Sequence, residues 1–145
     1  SGLFSRRGYN IDSITGGVTA DERFSRITVV CSGDELILEQ ITNQLAKLVD
    51  VRDTKILEPD NSVCHELMMI KVAAKPEQRQ GLISIADVFH AKVADVSVDS
   101  MILEMTGNHN KLEAFLELMG DYEILELART GMTGLSRGSQ DVTYF

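Results

Sequence analysis

The sequence lacks the residues and runs that mark fibrous, secreted or membrane proteins. Its 145 residues include two cysteines, two prolines and no tryptophan. Cys31 and Cys64 have neither metal-site nor redox-motif spacing, and free thiols favour a reducing compartment, the cytoplasm. No apolar run approaches the roughly 18 residues of a membrane-spanning helix, and no apolar block follows a basic end, so no signal peptide is expected. These absences exclude a collagen-like fibre and a membrane protein.

Basic residues are also scarce. Lysine and arginine number 14, against 22 aspartates and glutamates, so the formal net charge is −8. Such a chain is repelled by phosphate backbones unless a local basic stripe overrides the total charge. Basic residues form only single pairs such as Arg6-Arg7. Nucleic acid is therefore not expected as a partner.

The composition, 43% hydrophobic and 25% charged, is ordinary for a globular protein. In the second half, hydrophobic periodicity predicts the order β-α-β-β-α-β, which is the ferredoxin-like unit. The predicted strands cover residues 66–73, 92–98, 101–106 and 122–128. One predicted helix begins near Pro76, and the other is capped by Asn108 or Asn110. Residues 131–145 are predicted to be irregular.

The first half shows the same unit without its first strand. A helix end at residues 3–7 precedes predicted strands at 9–14 and 25–31, an amphipathic helix through 38–48, and a strand at 49–57. We expect the missing strand and the loop after it to lie outside this sequence, since a gap in the middle of a sheet is costly. The predicted class is α+β with two ferredoxin-like βαββαβ domains, residues 1–60 and 61–145.

No catalytic constellation accompanies this fold. The sequence has no nucleophile-elbow serine, phosphate-binding loop or zinc-helix motif. The three histidines are well separated, and Cys64-His65 is better explained by a strand that points the two side chains to opposite faces than by a metal site. We therefore expect no catalytic residues and no bound metal.

Two glycine-flanked segments are candidates for binding. In Gly8-Tyr9-Asn10-Ile11, the Asn10 amide both donates and accepts hydrogen bonds, as the capture of a free amino acid requires. From spacing alone, a glycine that ends a helix and an asparagine that satisfies a turn explain this segment more simply. In residues 134–138, Ser136-Arg137 could contact carboxylates of a partner, although a mobile tail is the simpler explanation.

Four segments together point to a family. They resemble the small, regulatory subunit of acetohydroxyacid synthase (acetolactate synthase), and they occur in the right order along nearly the whole chain. These segments are Gly2–Ile11, Leu45–Val51, Glu66–Val72 and Ala128–Gly138.

The resemblance implies an N-terminal ACT domain, a C-terminal ferredoxin-like domain and a function without catalysis. Small subunits of this family bind the catalytic subunit, which contains thiamine diphosphate and flavin, raise its activity and confer feedback inhibition by valine. The resemblance implies a homodimer whose paired ACT domains hold valine, with Asn10 and its neighbour Ile11 as effector-binding residues. It also implies that this chain binds no cofactor of its own.

Three alternatives belong to other classes. A stand-alone ACT-type amino-acid sensor would have the same fold and no synthase partner. A metal-responsive regulator would need a DNA-binding module and clustered metal ligands, and the sequence has neither. A small enzyme on this fold would need an arrangement of acid, base and nucleophile that we do not find.

Overall fold

The computed structural model describes residues 10–32, 35–48, 50–140 and 142. By its contacts, the chain divides into a first unit of residues 1–63 with 134–145, and a second unit of residues 64–133. The helix end predicted at residues 3–7, with Gly8, lies outside the described residues. Both units combine strands and helices, as the predicted α+β class requires.

The first unit contains a hairpin followed by a helix. Strands β1 (Asn10–Val18) and β2 (Ser25–Ser32) are antiparallel, and helix α1 covers Glu35–Ala46. A polar turn joins the strands, where the Asp21 carboxylate accepts hydrogen bonds from the backbone and the guanidinium of Arg23. The strand predicted at residues 25–31 is confirmed to within one residue.

The second unit is a sheet covered by two helices. The strands lie in the order β4-β5-β3-β6, and β7 also pairs with β3. Their bounds are β3 (Ser62–Ala73), β4 (Lys92–Val96), β5 (Ser100–Gly107), β6 (Ile124–Arg129) and β7 (Thr133–Ser136). Helix α2 (Arg79–Phe89) follows a short 3-10 turn at Pro76–Gln78, and helix α3 is His109–Met119. The order β-α-β-β-α-β predicted for this half is confirmed.

The core of the second unit lies between one face of the sheet and both helices. Every second residue of β3 is buried from Glu66 to Val72, as the two-residue period of a strand requires. Phe89 and Phe115 meet edge to face, with ring centroids 5.4 Å apart. Phe89 is partly buried, and the fully buried large side chains are Phe115, Met68, Ile70, Leu82, Met101, Leu103, Leu112, Met119 and Val72. Burial of each such side chain contributes about 1.5–3 kcal/mol before entropy is subtracted.

Local signals set the helix ends in this unit. The Asn108 side chain accepts a hydrogen bond from the backbone of Lys111 at 2.9 Å, so Asn108 is the N-cap of α3 and Asn110 is not. Helix α2 ends at His90, a non-glycine residue in the left-handed region at φ 56°. The chain reverses there because Ala91 donates its N–H to the carbonyl of Ala86.

The strand predicted at residues 49–57 is wrong. Among the described residues of this segment, 50–57, none lies in a strand. The second unit indicates the reason, because its last strand, β6, follows helix α3 and pairs with β3, the strand that begins that sheet's order along the chain. The described part of the first unit has no strand in the place of β3. Within the described ranges, residues 51–57 belong to no strand ladder, and their alternating pattern is insufficient to form a strand.

The prediction that the tail is irregular throughout is also wrong. Residues 133–136 form β7, which pairs with β3. Gly131 makes the preceding reversal possible with φ at 89°, a value that glycine adopts without strain. The sequence pattern did not predict this strand, because its four residues include a glycine and two hydroxyl side chains, which are typical of loops.

Candidate functional site

The two predicted effector residues begin the hairpin of the first unit. Asn10 is the first residue of β1 and lies opposite Ser32. Ile11 lies opposite Cys31 and is half-buried. Both are therefore at the open end of the hairpin, where β2 leads towards α1. Their part in effector binding stays a prediction.

The pairing is irregular beside these residues. The strand register shifts between Ile11 and Ser13, which leaves Asp12 as an extra residue in β1. Its carboxylate accepts a hydrogen bond from the Ser32 hydroxyl at 2.8 Å. Burial, and secondly the negative charge of Asp12, raise the pKa of the Cys31 thiol. Cys31 is therefore a protonated thiol at neutral pH and a poor nucleophile.

One face of the hairpin carries exposed apolar side chains. Cross-strand partners share a face, and the pairs Ile14↔Val29 and Gly16↔Ile27 place Ile14, Val18 and Ile27 together. These three side chains are 48%, 71% and 64% exposed. A two-stranded sheet alone is marginally stable in water, so a bare apolar face of this kind is suited to association.

The other end of the hairpin is bound to the C-terminal segment. Arg26 of β2 donates from Nη2 to the carbonyl oxygen of Gly134 at 2.8 Å. Lys55 Nζ donates to the Ser136 hydroxyl at 3.4 Å, and the backbone N–H of Arg137 donates to the Asn61 carbonyl at 2.9 Å. Residues 134–137 are thus ordered. Sequence reasoning missed Arg26, because no local pattern signals a contact across 108 positions.

A second polar cluster lies at the buried side of β3. Glu66 is 7% exposed, and its Oε1 accepts hydrogen bonds from Nε and Nη2 of Arg129. Its Oε2 accepts from the backbone N–H of Gly131 at 3.1 Å. Arg129 Nη1 also contacts Glu113 of α3 at 3.2 Å. The hydrogen bond to Glu66 raises the pKa of Arg129, and the cluster acts as a structural clamp between β3 and residues 129–131.

Side chains that can ligate a metal do not cluster in the described ranges of the chain. Within those ranges, no cluster of three or more histidine, cysteine or acidic side chains has the geometry to hold a metal ion. Cys64 and His65 follow one another along β3, with Cys64 half-buried and His65 exposed. None of the helices in the part of the chain that is described is long and apolar enough to cross a membrane.

The fold defines the class: an α+β protein whose second unit has the ferredoxin-like order β-α-β-β-α-β. Comparison with known families then identifies both units. Residues 1–53 match the model of the ACT domain of acetohydroxyacid synthase small subunits, and residues 65–138 match the model described as the small subunit of acetolactate synthase. The chain belongs to the family of acetolactate synthase small subunits.

Individual relatives agree along nearly the whole chain. The chain is 46% identical over 141 residues to a probable acetolactate synthase small subunit of Methanothermobacter thermautotrophicus, covering 97% of this chain and 84% of the relative. It is 45% identical over 142 residues to the acetolactate synthase small subunit of Mycolicibacterium smegmatis, covering 98% and 84%. The crystal structure of the small subunit from Thermotoga maritima superposes with a TM-score of 0.88 at 37% identity, covering 95% of this chain and 86% of that one.

Proposed function

We propose that this chain is the non-catalytic regulatory subunit of an acetohydroxyacid synthase. It binds the catalytic subunit, raises its activity and makes it subject to feedback inhibition by valine, an end product of branched-chain amino-acid biosynthesis. The observation that carries the proposal is the match of two small-subunit family models in succession, at residues 1–53 and 65–138. A stand-alone amino-acid sensor would need only the first of these.

The effector site of this proposal lies where two protomers meet. Residues 1–60 form the ACT domain and residues 61–145 the C-terminal domain. Two ACT domains pair as a homodimer, and Asn10 and Ile11 contact valine. The bare apolar face at Ile14, Val18 and Ile27 supports such a pairing. Valine that bridges two protomers favours one dimer arrangement, and the catalytic subunit responds to that arrangement.

In this proposal the chain has no part in the chemical step. It carries no cofactor or catalytic residue of its own, so the chemistry belongs to the catalytic subunit. It acts in the cytoplasm and engages neither nucleic acid nor a membrane. The net charge of −8 supports the exclusion of nucleic acid, because phosphate backbones repel an acidic chain.

The test is a four-way assay of acetolactate formation by the cognate catalytic subunit, with and without this chain, and each with and without valine. Activation by the chain together with inhibition by valine is the expected result. Unchanged activity on addition of the chain contradicts the proposed function. Activation that valine does not reverse retains the partner and rejects the effector.

Asn10→Ala tests the effector residue in the same assay. The substitution removes an amide that can both donate and accept, so we expect the inhibition constant for valine to rise at least about fivefold, the lower limit of typical allosteric coupling. Activation of the catalytic subunit should remain within about twofold. Asn110→Ala, which removes an exposed asparagine side chain of α3, is the control. Equal sensitivity of the Asn10 variant and the unsubstituted chain to valine refutes this assignment.

A further inference from the structure

The hairpin that carries the effector residues is bonded directly to the end of the chain. The Arg26 guanidinium, always charged, donates to the Gly134 carbonyl at 2.8 Å in a partly buried position. Gly134 itself is buried. A charge-assisted hydrogen bond shielded from water is stronger than a neutral bond at the surface. Arg26 therefore ties β2 to β7.

Arg26 and the effector residues lie at opposite ends of one paired element. Asn10 is opposite Ser32 at the open end, whereas Arg26 is opposite Gly17 near the turn. The six residue-to-residue steps from Arg26 to Ser32 span about 20 Å along β2. Pairing runs the length of the hairpin, so the ladder physically connects its open end to the end that carries Arg26.

The C-terminal strap, residues 134–137, is suited to pass such a change on. Its backbone is bonded to Arg26 and Asn61, but two of its side chains are turned to solvent. Leu135 is 62% exposed, and Arg137 is exposed as well. An exposed leucine and arginine on an ordered segment form a small surface that a partner protein can bind.

We propose that Arg26 is a positioning residue that couples the effector hairpin to the C-terminal strap, and that the strap conveys the effector state to the catalytic subunit. This inference rests on the proposed function and deepens it. It separates two events: valine binds at the Asn10 end of the hairpin, and the bond from Arg26 to Gly134 transmits the consequence. Loss of Arg26 should therefore abolish the transmission and preserve the binding.

The experiment compares Arg26→Met, Arg26→Lys and Arg23→Met in the full natural chain with its catalytic subunit. Lysine retains a charged donor for the Gly134 carbonyl. Arg23 is the matched control, because its removal changes the net charge equally and its side chain is 81% exposed and contacts its sequence neighbours Asp21 and Phe24. For each variant we would measure activation, the valine inhibition constant and valine binding to the isolated small subunit by calorimetry.

For Arg26→Met we expect the inhibition constant to rise at least about fivefold, with valine binding and activation within about twofold of the parent. Arg26→Lys should restore most of the inhibition. Inhibition in Arg26→Met equal to that in Arg23→Met overturns the inference, and so does loss of inhibition accompanied by equal loss of binding. Failure of the proposed function is distinguishable, since the unsubstituted complex would then show no activation or no valine response.

Discussion

The hydrogen-bonded clamp of Glu66, Arg129 and Gly131 predicts how much free energy of unfolding is lost when Arg129 is replaced. In Arg129→Met the Glu66 carboxylate loses two of its three described donors and keeps only the Gly131 N–H. Removing one partner of a fully buried ion pair costs about 3–5 kcal/mol. The Arg129 side chain is 29% exposed, so water partly replaces it and the lower end applies, about 3 kcal/mol.

A pair on the same two strands supplies the control. Lys71 Nζ and Glu126 Oε1 also join β3 to β6, at 3.0 Å, but their side chains are 36% and 75% exposed. An exposed pair of this kind contributes less than about 1 kcal/mol. Lys71→Met should therefore cost much less than Arg129→Met, although each substitution deletes one cation and one ion pair between β3 and β6; Arg129→Met also deletes the more exposed pair with Glu113.

The assay is urea unfolding followed by circular dichroism. Arg129→Met should lower the free energy of unfolding by about 3 kcal/mol and the melting temperature by roughly 10 °C. Glu66→Gln keeps an acceptor for Gly131 and should cost about 1–1.5 kcal/mol. In the Glu66→Gln protein, Arg129→Met should lower the free energy of unfolding by less than it does in the parent, because no buried charge is left unpaired. Equal losses of unfolding free energy for Arg129→Met and Lys71→Met would refute the claim that burial makes the Glu66–Arg129 pair the more important of the two.

Two further predictions follow from close contacts. A Cβ added at Gly81 of α2 would lie 2.8 Å from the Tyr122 hydroxyl. Gly81→Ala should therefore gain the helix-propensity benefit of about 1 kcal/mol only when Tyr122→Phe removes that hydroxyl. Additive effects of the two substitutions in a double-mutant cycle would contradict this prediction. Burial and the charge of Asp12 raise the pKa of the Cys31 thiol, so Asp12→Asn should lower that pKa and increase iodoacetamide labelling of Cys31 at pH 8. Cys64 in the same sample is the internal control, and an unchanged ratio of the two labelling rates would be evidence against the role of Asp12.

The elements of the second unit were largely predictable because local and tertiary preferences agree there. Met68, Ile70 and Val72 alternate in sequence and are all buried in the structure. The side chain of Asn108 caps α3 through a contact three residues away, which local sequence reveals. The segment at 51–57 has a comparable alternation and no strand, because a strand also needs a neighbour to pair with.

The sequence by itself determined the α+β class and the β-α-β-β-α-β order of the second unit, whereas the family resemblance supplied Asn10 and Ile11 as predicted effector residues. Periodicity and caps act over a few residues, so a linear pattern contains them. Only the tertiary structure decided that Arg26 binds Gly134, that Glu66 binds Arg129 and that the tail forms β7. Each of these depends on hydrogen bonds between groups more than 60 positions apart, and the sequence pattern around one partner contains no information about the position of the other.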